Sequence, residues 1–495
     1  MFTFNPILPK QICWEAGTQK RRKDMKKLLR MFCAVGLVTL LAVSMTGCGD
    51  GDDDNGTSPP AAPTGVSAVF NNASSATVSW SPVAGATSYN VYYADASGVT
   101  KSAYDVKVNT TGTSYTFEDA EKLAVDTTYY FVVTAVKDST ESAESIEVSA
   151  EYTTFAQGDL TGTWNFTLFY TGIGAPANYL GWLRMNITLD ADGVATVNYY
   201  KQSDGGVTPP DGSLILTIDG KGLVTQSGDY TGNTSHNVMS SNKELIIGTD
   251  TIAGFVPETE VQVIRIMQKA PDWGTMEESF SANDLTNIPF VFHQLASGAE
   301  QNWVRGIGAT NDSGQVTITS ITDSVDPTVP GELPDANYDT LSINPSTGVV
   351  SSTFDTSFKG VMTLDKKMII GTTKDMMGTF QLRVILVSGQ TFTMGDLAGV
   401  YKFASIFDGD SALWQYGTVA INSSGVTDFL EYLDSTGDAT LPPSATLSMN
   451  ASGTITNAAD STFLGNLSFN KELMVSTFTA GDVDSELYGL SLAVK

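Results

Sequence analysis

The feature that most constrains the fold of this chain is an internal repeat that occupies residues 155–495. Three copies share, in one order, a Phe-x-x-x-Asp-Leu block, a Trp, two turn glycines and a hairpin turn that contains Lys. The anchors are Phe155, Asp159, Trp182, Gly193, Gly222 and Lys243 in copy one, Phe280, Asp284, Trp303, Gly314, Gly348 and Lys366 in copy two, and Phe392, Asp396, Trp414, Gly425, Gly453 and Lys471 in copy three. The Asp-Leu pairs lie 125 and 112 residues apart. Each copy therefore has the size of a domain, and we place the copies at 155–270, 271–390 and 391–495.

The residues of each copy predict an all-β module. Thr, Ser, Gly and Val occur in short runs bounded by Asp-Gly, Asn-Lys or Ser-Gly turns, which is typical of antiparallel hairpins. In copy one we predict strands near 163–171, 180–189, 194–202, 213–218, 222–228, 235–240, 244–249 and 260–268. Such a β-meander has to close or stack to cover its edges. We expect three small barrels; the alternatives are one six-bladed propeller, with two four-stranded blades per copy, or sandwiches.

Residues 61–154 alternate between apolar and polar with a period near two, and turn residues interrupt them at short intervals. Trp80 lies on the second predicted strand, and Val125 and Tyr129 share one face of a later run. This segment resembles the fibronectin type III family, including its L-x-P-G-T-x-Y corner, with Val125 and Asp126 in the Pro and Gly places. The resemblance implies a seven-stranded, Ig-like sandwich with Trp80 in the core and Tyr129 as its tyrosine corner.

We interpret residues 1–47 as a signal-peptide region, within which a better-formed start lies at Met25. Basic residues there precede an apolar run of 13 residues, which is short of the roughly 20 that cross a bilayer. The Met-Thr-Gly-Cys sequence that ends at Cys48 resembles a bacterial lipobox, which implies that Cys48 is lipidated and begins the mature chain. Gly49 favours the outer membrane by the same resemblance. Residues 48–60 are acidic and then rich in Pro, which predicts a tether. Cleavage elsewhere and a retained membrane helix are the alternatives.

Cysteine content and charge restrict the partners. Of the 3 cysteines only Cys48 follows the signal region, so the mature chain has no disulfide and no Cys-type zinc site. Removal of residues 1–47 takes away eight basic and two acidic residues and leaves a net charge of −33. So acidic a surface argues against nucleic acid and anionic lipid as partners. Solubility explains this charge, and diffuse Ca²⁺ binding is the alternative. We expect the membrane as a partner through the lipid alone, and the sequence predicts no oligomeric state.

Few residues suggest catalysis or a cofactor. His236 and His293 are the only histidines and fall at different places in their copies, which argues against a His-based triad or a multi-His metal site. The runs 190–193 and 408–410 look like Ca²⁺ loops but lack the glutamate that ends an EF-hand loop, so we predict hairpin turns. We expect no enzyme, cofactor or bound metal. A carboxylate-based, glycan-active enzyme is the least favoured alternative.

The repeated Trp182, Trp303 and Trp414 are the candidate residues for stacking on a ligand. The alternative is that each fills the core of its module, which repetition predicts equally well. We expect a lipid-anchored cell-envelope protein that acts as a non-enzymatic binding or adhesion module toward protein or carbohydrate. A structural spacer without a ligand of its own is the second class of function.

Overall fold

Strands make up most of the regular structure. The computed structural model of the chain describes residues 59–72, 74–118, 123–172, 181–207, 213–228, 235–253, 260–272, 279–325, 327, 331, 339–409, 412–422, 424–480 and 486–495. These residues belong to one compact unit, Thr57–Lys495. The signal-peptide region, Cys48 and most of the tether lie outside the described residues. The all-β prediction is confirmed, with every described strand pair antiparallel.

The first domain is a sandwich of two sheets, as the sequence predicts. Its strands are β1 (Ser67–Asn72), β2 (Ser75–Ser79), β3 (Ser88–Ala94), β4 (Val106–Thr110), β5 (Ser114–Phe117), β6 (Tyr129–Lys137), β7 (Thr140–Glu141) and β8 (Val148–Ala150). One sheet has the order β1-β2-β5, and the other has the order β4-β3-β6-β7 with β8 added to β6. Trp80 is buried and packs on Tyr89, with 5.3 Å between ring centroids. The backbone N–H of Ala124 donates to Tyr129 Oη at 2.9 Å, which is the predicted tyrosine corner.

Each copy of the repeat forms one eight-stranded sheet. Copy one contains β9 (Gly162–Thr171), β10 (Gly181–Leu189), β11 (Ala195–Gln202), β12 (Leu214–Ile218), β13 (Leu223–Gly228), β14 (His236–Met239), β15 (Leu245–Ala253) and β16 (Glu260–Lys269). Copy two contains β17 (Pro289–Gly298), β18 (Asn302–Thr310), β19 (Val316–Asp323), β20 (Leu341–Ile343), β21 (Val349–Ser352), β22 (Lys359–Met362), β23 (Met368–Lys374) and β24 (Thr379–Val387). Copy three contains β25 (Gly399–Gly409), β26 (Leu413–Ile421), β27 (Thr427–Asp434), β28 (Leu447–Met449), β29 (Thr454–Asn457), β30 (Asp460–Leu467), β31 (Leu473–Ala480) and β32 (Leu487–Val494).

The sheets curl because the first strand of each copy pairs with the eighth. In copy one the order is β11-β10-β9-β16-β15-β14-β13-β12, and the other two copies have the equivalent order. The third and fourth strands meet near a single bridge, Val194 with Ile215 in copy one. Beside it the N–H of Leu216 donates to the carbonyl of the turn residue Gly193 at 2.9 Å. Each copy is therefore a nearly closed up-and-down meander, so the chain does not adopt the alternative of four-stranded propeller blades.

The Phe and second Gly of the repeat are one packing unit. In copy three Gly453 has φ +79°, and a Cβ at this position would lie 2.6 Å from Cε2 of Phe392. A side chain there would meet both backbone strain and a ring. The aromatic ring of the opening block thus packs directly on the backbone of the turn between the fourth and fifth strands.

The Asp and Lys of the repeat form a second link between the opening block and the sheet. A short helical turn opens each copy: α1 (Gln157–Leu160), a 3-10 turn (Ala282–Leu285) and α2 (Met394–Leu397). Asp396 accepts a hydrogen bond from the N–H of Thr393 at 2.7 Å, which closes α2, and forms a 2.6 Å ion pair with Lys471. The equivalent ion pairs are Lys243–Asp159 at 3.1 Å and Lys366–Asp284 at 2.9 Å. The predicted tight turns that contain Lys are present, and each of these Lys residues has positive φ. The ion pair between Lys and Asp was not predicted from the sequence.

Two kinds of core hold the repeat region together. The inner face of each curled sheet has its own apolar cluster, which in copy one includes Trp164 and Phe166. Outward-facing residues such as Phe169, Leu295 and Ile406 join a further cluster to which all three copies contribute. Because successive residues of a strand face opposite sides, the same strands line an inner core and the shared cluster.

Candidate functional site

The three repeated tryptophans lie where one copy contacts another. Their side chains are 5%, 0% and 2% exposed, respectively. The Nε1 of Trp182 donates to Thr373 O at 3.1 Å, that of Trp303 to Thr479 Oγ1 at 2.9 Å, and that of Trp414 to Thr251 Oγ1 at 2.7 Å. Copy one thus contacts copy two, copy two contacts copy three, and copy three contacts copy one. The copies form a closed ring with three equivalent seams.

This placement bears on the expected role of the tryptophans in ligand stacking. A ring buried between two copies presents no open face to a ligand in this structure. The observed burial fits the alternative, in which the Trp packs in a core. The difference is that each Trp packs at the boundary between two copies and not only within its own copy.

Two residues after each Trp, the strand directs a second side chain toward the sixth strand of the next copy. Arg184 donates to Lys359 O at 3.1 Å. Tyr416 stacks on His236, with 5.1 Å between ring centroids. At the seam between copies two and three, Arg305 Nε donates to Asn466 Oδ1 at 2.9 Å. The seams are therefore equivalent in backbone but differ in polar chemistry.

The seam between copies two and three contains a buried polar network. Arg305 is 6% exposed, and its Nη2 donates a hydrogen bond to Thr454 Oγ1 at 3.0 Å. His293 lies within 3.2 Å of Asn466 Oδ1 through Nε2 and of Thr477 Oγ1 through Nδ1. Burial lowers the pKa of Arg305 to about 10. Burial, and then the charge of Arg305, lower the pKa of His293 to about 3, so this histidine is neutral at pH 7.

A cleft of about 400 Å³ opens at this seam. Its walls include Arg305, Ile307, Gln390, Ser452, Thr454 and Asn466, and none of the described residues that line it is acidic. No carboxylate of the described residues lies within ion-pair distance of Arg305. By contrast, the equally buried Arg265 of copy one forms an ion pair with Asp250.

A second feature is an apolar surface on copy two, which we call the copy-two tip. The most exposed large apolar side chains of the described residues are Val325 (89%), Phe354 (76%), Met376 (104%) and Met377 (71%). They lie in the turns after its third, fifth and seventh strands, and in an up-and-down meander these turns are all at the same end. This surface was not predicted from the sequence, although a Met-Met pair inside a polar turn is a signal for an exposed apolar patch.

Hydrogen bonds join the three turns of the copy-two tip. Asp339, next to the fourth strand, accepts from Ser352 Oγ at 2.7 Å and from the N–H of Phe354 at 3.2 Å. Asp355 in turn accepts from Thr373 Oγ1 at 2.7 Å. The turns that carry the exposed apolar side chains are therefore held together by hydrogen bonds.

Other candidate residues have structural roles or no close partners for chemistry. His236 and His293 lie at different seams, and nowhere in the described ranges do three His, Cys, Asp or Glu side chains group closely enough to hold a metal ion. Asp190 Oδ1 accepts from the N–H groups of Asp192 and Val194 at 3.0 and 2.8 Å, which is a hairpin turn. Residue 410 lies outside the described residues. Within the part of the chain that the structure describes, no helix has the length and apolarity to cross a membrane.

The comparisons with known proteins identify the first domain. Residues 61–151 match the family model of the fibronectin type III domain, so this segment is a fibronectin type III domain. A solved Fn3-like protein from Clostridium thermocellum is 38% identical, covering 19% of this chain and 95% of that one, with a TM-score of 0.17. No curated protein matches the chain.

The wider structural matches are distant. The isotype 1 transferrin binding protein B from serogroup B Neisseria meningitidis is 10% identical over 67% of this chain and 76% of that one, with a TM-score of 0.22. A transferrin binding protein B from Haemophilus parasuis is 10% identical over 83% of this chain and 96% of that one, with a TM-score of 0.21. Similarities at this level carry no conclusion about function.

Proposed function

We propose that the chain is a lipid-anchored protein of the bacterial cell envelope that binds another protein without catalysing a reaction, and that the copy-two tip is its contact surface. The observation that carries this proposal is the concentration of Val325, Phe354, Met376 and Met377 at one end of one copy. Isolated exposed apolar residues are ordinary on protein surfaces, but a group of this size on one face is characteristic of interaction sites. Methionine side chains adapt to irregular partners.

The location of the tip fits a role in contact with a partner. The fibronectin type III domain touches the opposite end of copy three, where a Cβ on Gly395 would lie 3.7 Å from Cγ2 of Ile146. The copy-two tip is at the other end of the meanders, so the fibronectin type III domain does not cover it. The braced turns also reduce the conformational entropy that binding would cost.

The charged residues around the copy-two tip indicate which kind of partner can bind there. Among the described residues of these turns and strand ends, Asp323, Asp339, Asp355 and Asp375 outnumber Lys359 and Lys374. We therefore infer a protein partner that offers an apolar pocket with basic residues around it. A second copy of this acidic chain would place like charges opposite each other and is disfavoured.

Site-specific photo-cross-linking in the native bacterium tests the contact surface. A benzoylphenylalanine at Phe354 is expected to give a discrete cross-linked protein, which disappears when Met376→Asp and Met377→Asp are added. The matched control is the same probe at Leu430, an exposed apolar residue on copy three. Equal cross-linking from both positions, or no cross-link from Phe354, would refute the tip as the contact surface.

The anchor is a separate part of the proposal. Cys48→Ala is expected to abolish incorporation of labelled palmitate and to release the protein from the membrane fraction. Gly49→Asp is expected to move the protein from the outer to the inner membrane on a sucrose gradient. A Cys48→Ala protein that stays in the membrane fraction with unchanged size would contradict lipid anchoring.

A further inference from the structure

We propose that the cleft between copies two and three is a binding site for a small sugar acid, whose carboxylate is held by Arg305. This inference does not depend on the copy-two tip. The tip surrounds the turns after the third, fifth and seventh strands of copy two, whereas the cleft is lined by Ser452 in the turn between the fourth and fifth strands of copy three. The two sites are therefore at opposite ends of their meanders.

Arg305 is buried, and no carboxylate of the described residues forms an ion pair with it. A buried guanidinium is costly unless an anion or a full set of acceptors compensates it. Arg265 has that compensation from Asp250, but among the described residues Arg305 has only the neutral acceptors Asn466 and Thr454. In a chain with 54 acidic residues, the described lining of this cleft contains none. An incoming carboxylate would supply the missing charge, and Arg is suited to bind it through two parallel hydrogen bonds.

The side chains that line the cleft indicate which chemical groups the ligand has besides its carboxylate. Ser388, Gln390 and Ser452 line the cleft together with Thr454 and Asn466 and provide hydroxyl and amide groups that match the hydroxyls of a sugar. Val291 and Ile307 add an apolar patch against which the C–H face of a pyranose ring can pack. The volume of about 400 Å³ lies in the range of small-molecule sites.

Arg305 is anchored on both sides of the seam. Its strand, β18, belongs to copy two, while its two acceptors belong to β29 and β30 of copy three. The site exists only when the two copies are docked, so bound ligand should stabilise the seam as well.

Isothermal titration of the unit Thr57–Lys495 with sodium D-glucuronate tests the proposal. D-glucose is the uncharged control, sodium acetate supplies a carboxylate without a sugar, and sodium sulfate and phosphate supply other anions. Glucuronate is expected to bind more tightly than acetate, and glucose should give no binding. Arg305→Gln should weaken glucuronate binding by about tenfold or more, since a charge-assisted pair is lost. Ser452→Trp, a change at the exposed mouth, should block binding while leaving Arg305 in place.

Arg184→Gln is the matched control, because Arg184 holds the equivalent position in copy one but does not line this cleft. It should leave glucuronate binding unchanged. The proposal is overturned if glucuronate shows no binding up to about 20 mM, which excludes a dissociation constant in the millimolar range or below. It is equally overturned if glucose binds as well as glucuronate, if sulfate or phosphate binds more tightly, or if Ser452→Trp and Arg305→Gln bind like the parent protein. The cross-linking from Phe354 is independent of every one of these outcomes.

Discussion

The indole Nε1 of Trp414 donates a hydrogen bond to Oγ1 of Thr251, 2.7 Å away and 163 residues earlier in the chain. This bond joins the last copy of the repeat to the first, and it completes the ring that Trp182 and Trp303 begin. Thr251 also donates to Gln262 at 2.9 Å, so it keeps a partner if the indole is removed.

Trp414→Phe should therefore destabilise the unit Thr57–Lys495 in two ways, by reduced packing and by loss of one hydrogen bond. Trp80→Phe is the matched control, because Trp80 is similarly buried but its Nε1 has no hydrogen-bond partner among the residues that the structure describes. Urea unfolding monitored by circular dichroism should give a loss for Trp414→Phe that exceeds the control by about 1 kcal/mol. Equal losses would show that the bond to Thr251 contributes nothing to stability.

Gly453→Ala should be strongly destabilising because the new methyl meets the ring of Phe392 and the backbone has φ +79°. Gly437→Ala separates these two effects, since Gly437 has φ +85° and no atom of the described part of the chain lies within 4 Å of an added Cβ. We expect a loss of about 1 kcal/mol from backbone strain at Gly437 and a further 1–3 kcal/mol, roughly, from overpacking at Gly453. Thermal unfolding of the two variants would measure the difference, and similar melting temperatures would disprove the clash.

His293 should make the ring less stable in mild acid. Burial, and then the charge of Arg305, lower its pKa from 6.5 to about 3, so between these values the unfolded chain binds a proton that the folded chain does not. Stability therefore falls as pH falls below 6.5, by about 2 kcal/mol at pH 5. His293→Gln should reduce by that amount the loss of unfolding free energy between pH 7 and pH 5. A pH dependence unchanged by this substitution would place the titrating group elsewhere.

The Lys471–Asp396 ion pair should contribute less than about 1 kcal/mol, because Lys471 is half-exposed. Burial opposes ionisation of Asp396, but Lys471 and Thr393 outweigh it and hold its pKa below the ordinary 3.8. The contribution is thus complete above pH 3.8 and is lost as pH falls through the lowered value. Lys471→Asn, which tolerates positive φ, should cost this small amount at pH 7 and progressively less as the pH falls below 3.8 in urea unfolding. A cost that does not decrease with falling pH would point to packing of the Lys side chain instead.

The local structure of the repeat could be predicted from the sequence because its signals are local. Strands predicted near 163–171 and 260–268 are Gly162–Thr171 and Glu260–Lys269 in the structure. Alternation and hairpin turns depend on neighbouring residues, so a single copy contains the information for its own meander.

The ring and the cleft could not be predicted in the same way. A repeated Trp is equally consistent with a module core, a binding face or a seam between copies. No feature of the neighbouring sequence indicates that Trp414 contacts Thr251. Arg305 follows the repeated Trp by two residues, as Arg184 does in copy one, whereas Tyr416 holds this position in copy three. The sequence does not show that Arg265 has Asp250 beside it while Arg305 does not.

The closed ring also limits how this protein can change by duplication. In an open array each added unit extends the end, whereas here the outer face of copy three is already occupied by copy one through Trp414. A fourth copy would have to break an existing seam and alter the angle of the others. The number of copies is therefore a property of the seam geometry, and we expect gene variants of this architecture to vary in their loops before they vary in copy number.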